Sequence, residues 1–121
     1  METVIGLMDS AYFVSKNELL KWVNETLQLD IHYIEDLGAG SVYCQLIDAY
    51  HKQTVPMHKV NWKAKFEYQF VNNLKLFHHA LEKIGATRKL DVNKLAKTKY
   101  QDNLETIQWL KRYLEKSGSP L

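Results

Sequence analysis

The stretch that organises this chain is Lys99-Tyr100-Gln101-Asp102-Asn103-Leu104-Glu105-Thr106-Ile107-Gln108-Trp109. Asp102, followed three residues later by Glu105, has the spacing of a capping box and predicts a helix over residues 103–116. An apolar stripe at helical spacing continues from it: Leu104, Ile107, Leu110 and Leu114. The stretch therefore predicts a capped helix with one face in the core.

Lys99 and Gln101 lie directly before the expected cap. Free backbone N–H groups and the positive end of the helix dipole favour an acidic partner at such a position. Trp109 lies beside the apolar stripe, and we expect it to be buried under Phe70 or Phe77. The C-terminal region is thus predicted to carry a basic, polar tip on a packed helical stem.

The rest of the chain predicts further helices. Ser15 and Glu18 form a second capping box before an apolar face within residues 19–27. Residues 42–50 are apolar nearly all round, which is typical of a central buried helix, with a strand as the alternative for so short a run. Residues 64–84, which end at Gly85, carry a seam that favours a small helical bundle over a coiled coil. The seam consists of Phe66, Phe70, Leu74, Phe77, Leu81 and Ile84.

Short segments connect these helices. Residues 29–37 are predicted to form one helical turn ended by Gly38, and residues 88–99 a short helix capped by Asp91. Val60 and Trp62 are expected to anchor the intervening loop on the core. The prediction is an all-α fold with four main helices and two or three short ones. Residues 15–116 would form the domain, residues 1–14 a flexible lead-in and residues 117–121 the start of a linker.

Charge is distributed unevenly along the chain. Residues 1–50 carry two lysines against eight acids, a net −6, whereas residues 51–101 carry eleven Lys or Arg against three acids, a net +8. This asymmetry indicates a basic region suited to an acidic partner. The sequence pI of 8.6 and the acidic N-terminal third argue against nucleic acid, and an acidic protein surface is the better partner. No apolar run reaches the length of a membrane span.

Catalytic and metal-binding patterns are absent from the sequence. The five histidines lack partners at metal spacing, and Cys44 stands alone in an apolar segment, as expected of a small buried side chain. Glu35-Asp36 is read as a solvated helix end rather than an acid–base pair. We therefore expect no enzyme, no cofactor and no metal. The single cysteine suits a reducing compartment.

Four motifs stand in order and at near-constant spacing. They are Glu18–Asn24, Gly40–Asp48, the segment from Lys59-Val60-Asn61-Trp62 to Asn73-Leu74-Lys75, and Lys99–Arg112. Together they resemble the N-terminal calponin-homology domain of the microtubule end-binding (EB) family, over roughly residues 14–114. The resemblance implies the calponin-homology fold.

The resemblance also implies a domain that binds the outer surface of growing microtubules, in the groove between protofilaments where tubulin dimers meet. The tubulin-contacting positions that it implies are Lys59, Lys65, Arg88, Lys99 and Gln101, with Lys16, Lys75 and Glu105 as further members. It implies a cytoplasmic, cytoskeletal location at microtubule plus ends and on the spindle, with a role in cell division. An actin-binding or scaffold-type calponin-homology module is the alternative.

Two departures from the family pattern bear on these expectations. His58 and Asn61 stand where several relatives carry lysine, so the loop is less basic here. The family's C-terminal coiled coil and acidic-aromatic tail would lie beyond residues 117–121. We therefore expect this chain to be a monomer, and homodimerisation to require the coiled coil of a longer protein.

Overall fold

The computed structural model of the protein describes residues 14–120, and within them it contains only helices and their connections. The α-helices are α1 (Lys16–Leu27), α2 (Ser41–Tyr50), α3 (Glu67–Lys83), α4 (Val92–Leu95) and α5 (Tyr100–Lys116). Two 3₁₀ helices, Ile34–Ala39 and Met57–Lys59, lie in the connections. The predicted all-α fold of four main helices and a few short ones is confirmed. The lead-in expected over residues 1–14 lies outside the described residues, except for Val14.

Helix α2 is the centre of the core. It packs against α3, α1 and the first 3₁₀ helix, and Tyr43, Cys44, Leu46 and Ile47 are fully buried. The prediction of a central buried helix is therefore confirmed, and the strand alternative is wrong. Burial raises the pKa of the Cys44 thiol to about 12, so the protonated thiol packs as a small apolar group, as expected.

Helix α1 begins at its predicted cap. The Ser15 hydroxyl accepts a hydrogen bond from the backbone N–H of Glu18 at 3.2 Å, and the Glu18 carboxylate accepts one from the Ser15 N–H at 3.4 Å. The helix buries Leu19 and Val23 against the core. No helix within residues 14–120 combines the length and the apolar character needed to cross a membrane.

The helical turn predicted to end at Gly38 continues two residues further. Gly40, with φ of +89°, ends the 3₁₀ helix and precedes α2. Gly38 is instead a packing residue, because a Cβ atom built on it would lie 2.7 Å from the carbonyl oxygen of Leu95. The expectation for Gly38 as a terminator is wrong because its role depends on a segment far along the chain.

Helix α3 starts later than the predicted seam. Leu74, Phe77 and Leu81 are fully or almost fully buried, whereas Phe66 precedes the helix and is largely exposed. Phe70 and Ile84 are only partly buried. Gly85, with φ of +85°, follows the helix at its expected end. The predicted seam is therefore confirmed at Leu74, Phe77 and Leu81 and wrong at Phe66.

Helix α5 buries the predicted residues Ile107, Leu110 and Leu114. Trp109 is only partly buried and stacks on Tyr113, with ring centroids 5.2 Å apart. The expectation that Trp109 lies under Phe70 or Phe77 is wrong, because Phe77 stacks on Tyr43 with its centroid 4.8 Å away. The Phe77 ring is thus covered by Tyr43 of α2, and Trp109 stacks on a residue of its own helix instead.

Candidate protein-binding surface

Helix α5 begins at Tyr100, three residues before the predicted start, and Lys99 is its N-cap. The Asp102 carboxylate lies in the first turn, 3.5 Å from the Lys94 amino group, and caps no backbone N–H. Gln101 donates a hydrogen bond to the Glu105 carboxylate at 2.9 Å on the helix surface. The predicted Asp102–Glu105 capping box is therefore wrong. We call residues 98–105 the α5 entrance.

The α5 entrance is attached to the core through Asn103, which is fully buried. Its side-chain amide donates to the carbonyl oxygens of Lys99 at 3.0 Å and Leu95 at 3.4 Å. Its amide oxygen accepts a hydrogen bond from the Tyr43 hydroxyl at 2.7 Å. Asn103 thus joins the end of α4, the start of α5 and the centre of the core, which explains why the helix starts before Asp102.

The loop and turn over residues 57–66, which we call the connector, carry Lys59, Lys63 and Lys65. The connector is held by Asn73 of α3, which is also almost fully buried. The Asn73 amide oxygen accepts from the Asn61 N–H at 2.9 Å, and its NH₂ group donates to the Asn61 carbonyl at 3.0 Å. One buried side chain therefore fixes the backbone in the middle of the connector.

The segment Gly38-Ala39-Gly40 links these two regions. At one end Gly38 packs against Thr98, and a Cβ atom at Gly38 would lie 2.8 Å from the Thr98 Cγ2 atom. At the other end a Cβ atom at Gly40 would lie 2.7 Å from the Asn73 Cβ atom, and Asn73 also donates to the Ala39 carbonyl at 3.0 Å. Thr98, which precedes Lys99, and Asn73, which holds the connector, thus contact opposite ends of the segment 38–40.

Arg88 and Glu105 line the same cavity between α4 and α5, which has a volume of about 110 Å³. The Arg88 guanidinium lies 5.5 Å from the centroid of the Trp109 ring, a cation–π distance. Because Gln101 is hydrogen-bonded to Glu105, the structure brings together Arg88, Gln101 and Glu105 beside Lys99.

The other predicted contact residues are more scattered. Lys59 and Lys65 lie in the connector, and Lys75 lines a separate cleft between α3 and α4. Lys16 is in the first turn of α1. No described contact joins Lys75 or Lys16 to the α5 entrance, so their membership of one surface stays a prediction.

The lysines divide into two electrostatic classes. Four of them have carboxylate partners between 2.9 and 3.6 Å: Lys52 with Asp48, Lys94 with Asp102, Lys97 with Glu67 and Lys111 with Glu115. Among residues 14–120, no carboxylate pairs with the exposed amino groups of the predicted contact lysines. These are Lys16, Lys59, Lys65, Lys75 and Lys99. Their charge is therefore available to a partner.

Asn73 and Asn103 are the residues that sequence reasoning missed. Each is an amide at a position of its helix that faces the core, adjacent to apolar residues such as Leu74 and Leu104. A polar side chain at a core-facing position is a detectable signal, because burial without a hydrogen-bond partner would be costly. The signal reports that a partner exists, but not which backbone groups provide it.

Within the described part of the chain, no group of three or more His, Cys, Asp or Glu side chains could hold a metal ion. His78 and His79 each lie within 4 Å of Glu82 on the surface of α3, and His32 lies 3.3 Å from Asp30. Lysines, an arginine, amides and the Trp109 ring therefore dominate the chemistry of the candidate surface, and its positive charge complements an acidic protein surface.

The family described as the calponin homology (CH) domain matches residues 13–116. Among curated proteins, three from Arabidopsis thaliana are similar over 115 residues, or 95% of this chain: microtubule-associated protein RP/EB family members 1C, 1B and 1A. Their identities are 48%, 47% and 45%, in the same order. The matched region is 35%, 39% and 42% of their respective lengths, so the chain spans well under half of each relative.

A solved structure described as "Structural Basis of Microtubule Plus End Tracking by XMAP215, CLIP-170 and EB1" contains a chain with the same fold. The TM-score is 0.79 at 38% sequence identity, over 84% of this chain and 86% of that chain. The family match over residues 13–116 includes both Asn73 and Asn103.

Proposed function

This chain belongs to the calponin homology domain family, in the branch of the microtubule-associated RP/EB proteins, and we propose that it binds the lattice of growing microtubule ends. The observation that carries the proposal is the set of unpaired lysines on ordered backbone at the connector and the α5 entrance. Lys59, Lys65 and Lys99 are its main members. Tubulin, the proposed partner, has a strongly acidic surface that would complement them.

The proposed contacts have two roles. The lysines supply attraction that is screened by salt, because each ammonium group is exposed and has no carboxylate partner among residues 14–120. Gln101 is neutral, so its contribution depends on geometry, and its hydrogen bond to Glu105 orients it. Arg88 is positioned by the Trp109 ring. Lys16 and Lys75 would extend the contact beyond this central group.

The experiment is co-sedimentation of the 121-residue chain with microtubules across a salt series. Lys99→Gln removes an unpaired charge, whereas Lys52→Gln removes a charge that is already paired with Asp48. We expect Lys99→Gln to weaken binding by about three- to tenfold and to reduce the dependence on salt, with Lys52→Gln close to the parent chain. Equal effects of the two substitutions would contradict the proposed surface.

Preference for growing ends is tested by sedimentation with microtubules held in different nucleotide states. Tighter binding to the state that resembles growing ends is the expected result, and it fits a cytoskeletal location at plus ends and on the spindle. Actin filaments are sedimented in parallel, because other calponin homology modules bind actin. Robust binding to actin without binding to microtubules would overturn the proposal.

The domain proposed to act alone is residues 15–116, with residues 117–121 beginning a linker. We expect the 121-residue chain to be monomeric, with dimerisation belonging to a coiled coil in longer proteins. Light scattering coupled to size-exclusion chromatography tests this expectation. A stable dimer of the chain would contradict it.

A further inference from the structure

Three large aromatic side chains near the start of α3 are exposed to solvent. Phe66 and Tyr68, which we call the aromatic patch, have 60% and 66% of their surface accessible, and Trp62, four residues before Phe66 in the chain, has 53%. The Phe66 and Tyr68 rings are parallel to within 4°, with centroids 6.1 Å apart. Neighbouring exposed aromatic residues are typical of binding surfaces, where they contribute large contact areas.

The backbone beneath the aromatic patch is fixed by hydrogen bonds. The Gln69 side chain accepts from the backbone N–H groups of Lys65 at 2.7 Å and Phe66 at 3.0 Å. The Asn61 side chain accepts from the Lys63 N–H at 3.0 Å, and Asn61 is itself held by Asn73. Because these groups are ordered before binding, a partner would not have to pay the entropy of ordering the loop.

The patch continues into a cleft. Tyr68 lines an open cleft of about 370 Å³ between α3 and α4, together with Val71, Asn72, Lys75 and Asn93. This cleft provides apolar surface beside amide groups and one unpaired ammonium group. An aromatic ridge next to a partly apolar cleft can contact a convex protein surface.

The charges around the patch indicate the chemistry of its partner. Lys59, Lys63, Lys65 and Lys75 have no carboxylate partner among the described residues. Glu67, the acid at this site, already lies 3.5 Å from the Lys97 amino group. The patch therefore suits an apolar surface bordered by acidic side chains.

We propose that the aromatic patch is a second contact between this chain and the microtubule lattice, packing on an apolar area of tubulin bordered by acidic residues. This inference rests on the proposed function. Its continuity with that surface comes from the connector, since Lys65 directly precedes Phe66 in the chain. The lysines supply salt-screened attraction, whereas the aromatic rings supply short-range contact that salt does not screen.

The test compares Phe66→Ala/Tyr68→Ala with Tyr33→Ala in microtubule sedimentation across a salt series. Tyr33 is a matched control because 64% of its surface is accessible, but the charged residues next to it in the chain are Glu35 and Asp36, whereas Lys63 and Lys65 precede Phe66. Lys99→Gln is measured alongside. Thermal unfolding confirms that each variant is folded, and Phe66→Gln alone replaces the double variant if that variant unfolds at a lower temperature.

We expect the patch variant to bind at least about tenfold more weakly, with the slope of affinity against salt unchanged, and Tyr33→Ala to stay within about twofold. Equal weakening of the patch and Tyr33 variants, or a patch variant within twofold of the parent, would overturn the aromatic contact. If the patch variant binds within twofold of the parent but Lys99→Gln weakens binding, the proposed function stands and only the aromatic contact fails. If the parent chain does not bind microtubules, both proposals fail.

Discussion

Asn103 holds the α5 entrance from within its own helix, whereas Asn73 holds the connector from a different element, twelve residues away in sequence. Both asparagines are buried, and adjacent residues of α2 contact them. The Tyr43 hydroxyl donates to the Asn103 side chain, and the Cys44 thiol lies 3.5 Å from the Asn73 carbonyl oxygen as its donor. One turn of α2 therefore supports both regions.

The difference between the regions lies in what remains without the asparagine. Without the Asn103 side chain, the α5 entrance would keep its helical hydrogen bonds. The buried Tyr43 hydroxyl would then have only the backbone carbonyl oxygen of residue 103, at 3.4 Å, as an acceptor. The connector has few backbone hydrogen bonds of its own, so its middle depends on Asn73. Loss of Asn103 should therefore reduce global stability most, and loss of Asn73 should release a local segment.

The largest effect should come from removing these amides. We expect Asn103→Ala to lower the free energy of unfolding by about 3 kcal/mol and Asn73→Ala by about 2 kcal/mol, since water can reach Asn61 but not Tyr43. Urea denaturation measures both values. Hydrogen exchange at the Asn61 amide should accelerate in Asn73→Ala beyond what the loss of global stability explains.

The control for both substitutions is Asn72→Ala, an exposed amide on the same helix as Asn73. It should change the free energy of unfolding by less than about 0.5 kcal/mol. A larger loss in the free energy of unfolding for Asn73→Ala than for Asn103→Ala would contradict the expectation that Asn103 contributes more to global stability. Unchanged exchange at Asn61 would show that the connector is ordered by other contacts.

Substitution of one tryptophan in each region also compares the α5 helix with the connector, and we expect smaller losses of stability than for the asparagines. Trp109, on α5, packs against Tyr113 and Arg88, so Trp109→Ala should cost about 2 kcal/mol, less than a fully buried tryptophan would. Trp62, in the connector, is mostly exposed, so Trp62→Ala should cost less than about 0.5 kcal/mol. Thermal or urea unfolding of the two variants measures the difference. Similar losses at both sites would mean that Trp62 packs on the core after all.

Alkaline pH is expected to affect both of the α2 residues that contact the two asparagines, Tyr43 and Cys44. Burial raises the pKa of the Cys44 thiol to about 12 and the pKa of the Tyr43 hydroxyl well above its usual value of 10.0. The folded protein holds these protons more tightly than the unfolded chain, so their contribution to stability is complete below pH 9 and declines as pH rises from about 9 towards 12. Each proton lowers the free energy of unfolding by about 1.4 kcal/mol per pH unit in its range.

Urea unfolding between pH 7 and pH 11 tests this dependence. Cys44→Ala should remove the decline that begins near pH 9, and Tyr43→Phe should remove the part that begins near pH 10. The Cys44 variant reports on the side that faces Asn73, and the Tyr43 variant on the side that faces Asn103. A parent chain with constant stability up to pH 11 would contradict the burial of both protons.

The smallest effect on stability is expected at Gln101. Gln101→Ala removes one exposed hydrogen bond to Glu105 and should change the free energy of unfolding by less than about 0.5 kcal/mol. Under the proposed function it should still weaken microtubule binding by about three- to tenfold, with Tyr33→Ala as the binding control. Undiminished binding would confine the contact at the α5 entrance to charged residues.

Much of the fold follows from local sequence signals. The Ser15–Glu18 capping box, the apolar run of α2, the middle of the α3 seam and the stop at Gly85 all depend on residues within one or two turns of each other. The Asp91 cap of α4 belongs to the same class, since its carboxylate accepts from the Lys94 N–H at 3.1 Å. Such signals do not depend on how the helices are arranged in space.

The candidate site was only partly predictable. The sequence pattern named Lys99 and Gln101, and the family resemblance added Glu105. The predicted cap at Asp102 is wrong, because the Asp102 carboxylate contacts the Lys94 amino group and the Asn103 amide bonds to Leu95 and Lys99 across the α4–α5 turn. The sequence pattern also assigned Trp62 and Phe66 to the core. Periodicity reports that a residue is apolar at a helical position, but not whether another element covers it.

By itself, then, the sequence determined the helical class, the bounds of α1 and α2, the C-terminal ends of α3 and α5, and the basic character of residues 51–101. The tertiary structure alone decided which lysines have a carboxylate partner within residues 14–120 and which do not. It also decided that two buried asparagines attach the connector and the α5 entrance to the core, and that aromatic rings stand exposed between lysines. The reason is physical: helix formation is a local property, whereas burial, ion pairing and the satisfaction of buried amides depend on residues that only folding brings into contact.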